Sequence, residues 1–159
     1  MTIGYSRDSQ IYVADSPRIK VIAIESPADL QRAFTIRRRV FIEEQQVPEE
    51  IELDADDAHA FHALALIDGE AVGTGRMLEH GDDEVKIGRM AVLQHLREHG
   101  IGRCILRFLM EHARASGRTK AVLHAQISAE GFYLKEGYIP IGNMFDEAGI
   151  PHRKMERAL

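Results

Sequence analysis

A single cysteine, Cys104, stands among the 159 residues, so no disulfide can close within the chain and a reducing cytoplasm suits it. No apolar run approaches the roughly 18 residues of a membrane-spanning helix, and Met1 to Asp8 lacks the apolar core of a secretion signal. A membrane partner is not expected, and a cytoplasmic location is. Positive charge is also short: 20 Lys and Arg face 25 Asp and Glu, a formal net charge of −5. General nucleic-acid binding leaves a basic footprint, and this chain has none. Neither a repeat nor a low-complexity linker divides it. With 45% hydrophobic and 28% charged residues, the length fits one globular domain.

Local patterning supplies the elements. Residues 1–17 are polar and patternless, and a loose segment is expected there, followed by one domain over 18–159. Ile19 to Ile24 reads as a strand. Ser26, Pro27 and Asp29 start a helix that carries Leu30, Phe34 and Phe41 and ends by about Gln46, because Pro48 disfavours helical geometry before it. The arginines of Arg37-Arg38-Arg39 point several ways from that helix, at about 100° per residue. An acidic loop over 48–58 follows. Strands are expected over 60–67, 71–78 and 84–93, joined by turns at Asp68-Gly69-Glu70 and His80-Gly81-Asp82-Asp83. A helix from Gly100 to Ala115 puts Ile105, Leu109 and His112 on one side and Arg107, Glu111 and Arg114 on the other, and Gly117 caps it. Then come a strand at 121–125, a short helix from Ser128 to Gly137, and a hairpin of 138–145 with 152–157 around a turn at 146–151. The order β α β β β α β α β β makes one mixed α/β sheet.

The segment Arg97-Glu98-His99-Gly100-Ile101-Gly102-Arg103 lies between a strand and an amphipathic helix. Two glycines one residue apart let backbone N–H groups crowd an anion at the helix N-terminus, and Arg97 or Arg103 can add a charge-assisted contact. Arg97, Gly100 and Gly102 occupy the defining positions of Q/R-x-x-G-x-G/A. They follow a strand ending Met90-Ala91-Val92 and precede Phe132-Tyr133-Leu134-Lys135-Glu136-Gly137-Tyr138. In these features the chain resembles the GNAT superfamily of acyl-CoA-dependent N-acyltransferases. Over roughly residues 36–157, Arg39 to Gln45, Asp57 with His62, Gly88-Arg89-Met90, Ala125-Gln126 and Gly149-Ile150-Pro151-His152 with Met155 resemble its small ElaA-like or YjcF-like bacterial subgroup.

The resemblance implies a single-domain GNAT-like fold with a mixed, mostly antiparallel central sheet flanked by helices. It implies acetyl-CoA as co-substrate and transfer of its acetyl group to a primary amine of a small molecule or peptide within a ternary complex. The residues matched to CoA are Met90, Ala91 and Val92 for the pantetheine arm, Arg97, Glu98, His99, Gly100, Ile101, Gly102 and Arg103 for the pyrophosphate, and Gln126. Tyr133 matches the tyrosine that protonates the departing thiolate. The family's base positions hold Lys86 and Gly88 here, which leaves Glu44, His62, His124 and His152, with His124 and Glu44 ranked first. The acidic loop suggests a cationic acceptor. No metal is expected, because His59, His62, Asp54, Asp56 and Asp57 match no ligand signature. Cys104 reads as an apolar filler. An acyl-homoserine-lactone-synthase-like acyltransferase and a non-catalytic acyl-CoA-binding module remain alternatives, and a homodimer through the last hairpin is open.

Overall fold

The computed structural model describes residues 18–159 and, as backbone, the strands β1 (Gly4–Ser6) and β2 (Ile11–Val13). The expectation for the remainder of residues 1–17 lies outside the described residues. The other strands are β3 (Ile19–Ala23), β4 (Phe61–Ile67), β5 (Glu70–His80), β6 (Glu84–Val92), β7 (Lys120–Gln126), β8 (Ile139–Glu147) and β9 (Ile150–Ala158). They form one sheet in the order β1-β2-β3-β4-β5-β6-β7-β9-β8, antiparallel throughout except between β6 and β7. From β3 onward the element order is the expected one. The edge strand β8 exposes Ile139, Ile141 and Met144.

Helices cover both faces. In α1 (Pro27–Arg37), the Ser26 hydroxyl accepts from the Asp29 N–H at 3.1 Å, and the helical path continues as a π-helical stretch, Arg38–Glu44, almost to the expected end. Ala33, Ile36 and Val40 pack there on Leu64 and Ala91. Leu64 alternates along β4 with Ala63 and Ala65, which face α3 (Ile101–Ala115) on the other side. Helix α3 buries Cys104, Ile105, Leu106, Phe108, Leu109 and Met110, a broader stripe than the expected face. It sits close to the sheet over Gly73 and Gly75, where an added Cβ would come within 2.8 Å of Ile105. Gly117 (φ 81°) ends it, with the Arg118 N–H returned to the Ala113 carbonyl at 3.0 Å.

Two expectations are corrected. The segment 48–58 is not an open acidic loop: it forms α2 (Glu49–Glu52) and a 3₁₀ turn, Ala55–Ala58, and buries Glu52 and Asp57 because arginines meet them. The last hairpin has no six-residue turn. Its ladder runs on through Asp146↔Pro151 and Glu147↔Ile150 to a two-residue turn, Ala148-Gly149, with φ of 55° and 78°. Such primed turns match strand twist and favour glycine at the second position, while Ala148 gave no such signal.

Pairing between β6 and β7 runs only from Glu84↔Lys120 to Ile87↔Leu123, although both strands continue. A bulge on β6 coincides with the break. Thr74 pairs with Ala91 and Arg76 with Gly88, so Arg89 (φ 52°) and Met90 stand opposite Gly75 alone. Bulges bend the strand that carries them, and here the two parallel strands separate.

Candidate active site

The separation opens a cleft of about 640 Å³. Of the residues singled out from sequence, it brings together Met90, Ala91, Val92, Arg97, His124, Gln126, Tyr133 and His152, with Lys86, Gly88, Asp54 and Asp56 also on its walls. Glu44 and the run from Glu98 to Arg103 are not among its lining residues.

The glycine segment follows β6 through a 3₁₀ turn, Gln94–Leu96. Glu98 (φ 68°) and Gly100 (φ 84°) are left-handed on either side of His99, and α3 begins at Ile101 without a side-chain cap. Its first backbone bond runs from the Cys104 N–H to the Gly100 carbonyl, 3.1 Å. Among the described residues, the N–H groups of Ile101, Gly102 and Arg103 thus have no protein acceptor. Unpaired donors at the positive end of a 15-residue helix suit an anion. A Cβ on Gly102 would touch the Phe132 ring at 3.6 Å. Arg97 is occupied elsewhere: Nε donates to the Val92 carbonyl at 3.0 Å and Nη2 to Glu44 at 2.9 Å.

Tyr133 lies in α4 (Glu130–Lys135), 8% exposed, edge-on to Phe132 and Tyr138. Burial pushes its phenol well above the ordinary range, so it carries its proton throughout. Its hydroxyl has no hydrogen-bond partner among the described residues. Across the cleft on β7, His124 Nδ1 lies 2.9 Å from Glu147, and Gln126 donates to Gln45 at 2.8 Å. His62 is structural, with Nε2 2.9 Å from the Asp57 carbonyl.

The wall beyond Gly88 is an ion network that sequence reading missed. Arg37, 1% exposed, donates to Glu52 at 2.9 Å and to Asp57 at 2.7 Å. Arg76 reaches Asp57 at 3.0 Å and Asp54 at 2.6 Å, and Arg89 reaches Asp54 at 3.1 Å and Glu52 at 3.3 Å. Burial alone would raise the Asp57 carboxyl, but hydrogen bonds and charge from Arg37 and Arg76 outweigh it and hold the group at about 2. At Glu52 burial wins over Arg89, Arg37 and Arg76, and the carboxyl is pushed up. Three guanidinium groups therefore offset Glu52, Asp54 and Asp57, while Asp56, paired among the described residues only with His59 at 3.4 Å, also lines the cleft. The available signal was the odd placement of Arg37 on the apolar side of α1, between Ala33, Ile36 and Val40. Among the described residues, no group of three or more His, Cys, Asp or Glu side chains is placed to hold a metal.

The family model of the acetyltransferase (GNAT) domain matches residues 22–159. The chain is 40% identical over 139 residues to the uncharacterized protein YyaT of Bacillus subtilis strain 168, covering 86% of this chain and 93% of the relative. It is 36% identical over 139 residues to the uncharacterized N-acetyltransferase YjcF of the same organism, covering 86% and 98%. The crystal structure of Escherichia coli ElaA superimposes with a TM-score of 0.77 at 28% identity, covering 87% of this chain and 99% of that one.

Proposed function

The chain belongs to the GNAT family of acetyltransferases, which use acetyl-CoA, and from that premise we propose that it acetylates a primary amine of a small molecule or peptide by direct attack in a ternary complex. The observation that carries this reading is the parting of β6 from β7. It leaves β6 from Met90 to Val92 without a strand partner on the β7 side, next to the unpartnered Tyr133 hydroxyl.

In this reading the amides of the pantetheine arm pair with the Met90-Ala91-Val92 backbone as an added strand would. The pyrophosphate meets the free N–H groups from Ile101 to Arg103, where Gly100 and Gly102 keep Cβ atoms out of the way and the Arg103 side chain adds charge. Gln126 borders the slot from β7. Glu44 holds Arg97 on the Val92 carbonyl instead of acting as base. The amine nitrogen attacks the thioester carbon, the C–S bond breaks, and Tyr133 hydrogen-bonds and then protonates the thiolate. The amine proton passes to Nε2 of His124.

Thiol release from acetyl-CoA over a panel of primary amines tests this. Tyr133→Phe should lower kcat on the order of 100-fold with the acetyl-CoA KM within about twofold. Unchanged turnover would remove Tyr133 from the mechanism. Acetyl-CoA binding without thiol release from any amine would favour an acyl-CoA-sensing module instead.

A further inference from the structure

A carboxylate from the turn of the last hairpin holds the His124 ring. Glu147 ends β8 just before the Ala148-Gly149 turn, and Glu147, Ala148 and Ile150 all line the cleft. One Glu147 oxygen lies 2.9 Å from His124 Nδ1, and the other lies 3.6 Å from His152 Nε2. Burial pushes the Glu147 carboxyl up, but the hydrogen bond from His124 and the charges of His124, His152 and Lys86 bring it below its ordinary range. An ionised carboxylate only accepts, so Nδ1 of His124 carries a proton, and in the neutral ring the lone pair is on Nε2. Phe145 fixes the ring from a second side, edge-on at 5.0 Å. His152 is held the other way round: its Nδ1 donates to the Ile150 carbonyl at 2.7 Å, its Nε2 faces the Glu147 carboxylate, and its ring stacks on Phe145.

We propose that Glu147 is a positioning residue for acetyl transfer: it holds His124 as the Nδ1–H tautomer, presents Nε2 to the acceptor amine, and stabilises the imidazolium formed when the amine proton arrives. The proposal rests on the assignment of His124 as base. It accounts for a base on β7 when the corresponding places on β6 hold Lys86 and Gly88. The charged and titratable groups around His124 are Glu147 from β8, Lys154 opposite it on β9, His152 on β9 and Lys86 on β6.

The test is Glu147→Gln with Glu147→Asp and His124→Asn beside it. Glu147→Gln should lower kcat about 10- to 100-fold, leave the acetyl-CoA KM within about twofold, and move the acidic limb of the kcat/KM profile to lower pH, because a neighbouring negative charge is lost. Glu147→Asp should recover part of the rate. Nitrogen-15 NMR of the wild-type protein should show His124 protonated at Nδ1, and Glu147→Gln should shift it toward the Nε2–H form. A wild-type ring protonated at Nε2 alone overturns the proposal, even if the variant unfolds. If His124→Asn abolishes turnover while Glu147→Gln leaves rate and pH profile unmoved, the role of Glu147 fails and that of His124 stands. If both variants turn over normally, the assignment of the base fails too.

Discussion

The two halves of the cleft are assembled in opposite ways. The half read as the donor side, Met90 to Val92 and Arg97, runs on outside the cleft into the glycine segment and α3 as one continuous stretch of chain and relies on backbone groups. The opposite half collects side chains from distant segments: Glu52 and Asp54 from 49–58, Arg76 from β5, Arg89 from the bulge and Glu147 from the last hairpin, with Arg37 from α1 and Asp57 buried behind them. Its bonds join residues 20, 23 and 35 positions apart, as in Arg37–Asp57, His124–Glu147 and Arg89–Asp54. A backbone cradle needs glycines at particular places and so leaves a local trace. A side-chain network can be met from many directions and leaves none.

The largest effect expected from separating the halves belongs to Arg37→Ala. It leaves Asp57 with Arg76 alone and Glu52 with Arg89 alone, and empties the space of a fully buried side chain, which should cost about 3 kcal/mol, read by denaturant unfolding. The surviving folded protein should still bind acetyl-CoA within about twofold of wild type, and an equal loss of that affinity would mean the halves are not separable. Gly100→Ala acts on the other half. Gly100 has φ 84° and an added Cβ would meet Arg103 Nη2 at 3.5 Å, an ordinary contact, so the substitution strains the backbone without a clash and should cost about 1 kcal/mol. It should weaken acetyl-CoA binding while leaving the amine KM unchanged; a change in amine KM alone would reverse the assignment. A third effect is an acid limb of stability. The Asp57 carboxyl sits at about 2 in the fold against roughly 4 in an unfolded chain. Its contribution is therefore complete above pH ~4 and disappears as pH falls toward 2. Asp57→Asn should flatten that limb of thermal stability against pH, with Asp54, also lowered beside Arg76 and Arg89, supplying what remains.

Legibility followed the same division. Ser26 as cap, Gly117 as stop, the Asp68-Gly69 turn and the glycine segment before α3 each act within a few residues, and each was placed from sequence. The fate of Glu52, Asp54 and Asp57 was not, since a run of acids looks solvated until its partners are known. Glu147 was passed over because the turn beside it looked six residues long: the left-handed Ala148, which lets the ladder reach Glu147, has no mark in composition.

Amino-acid order by itself determined the order of the strands and of the main helices, the start of α1, the end of α3 and the glycine segment before it, because these depend on periodicity, caps and glycine conformations read over one or two turns. Only the tertiary structure decided where β6 leaves β7, which carboxylates an arginine neutralises, and which histidine faces an acid across the cleft. Those outcomes depend on burial and on charges brought together from far along the chain, and neither exists until the sheet has formed.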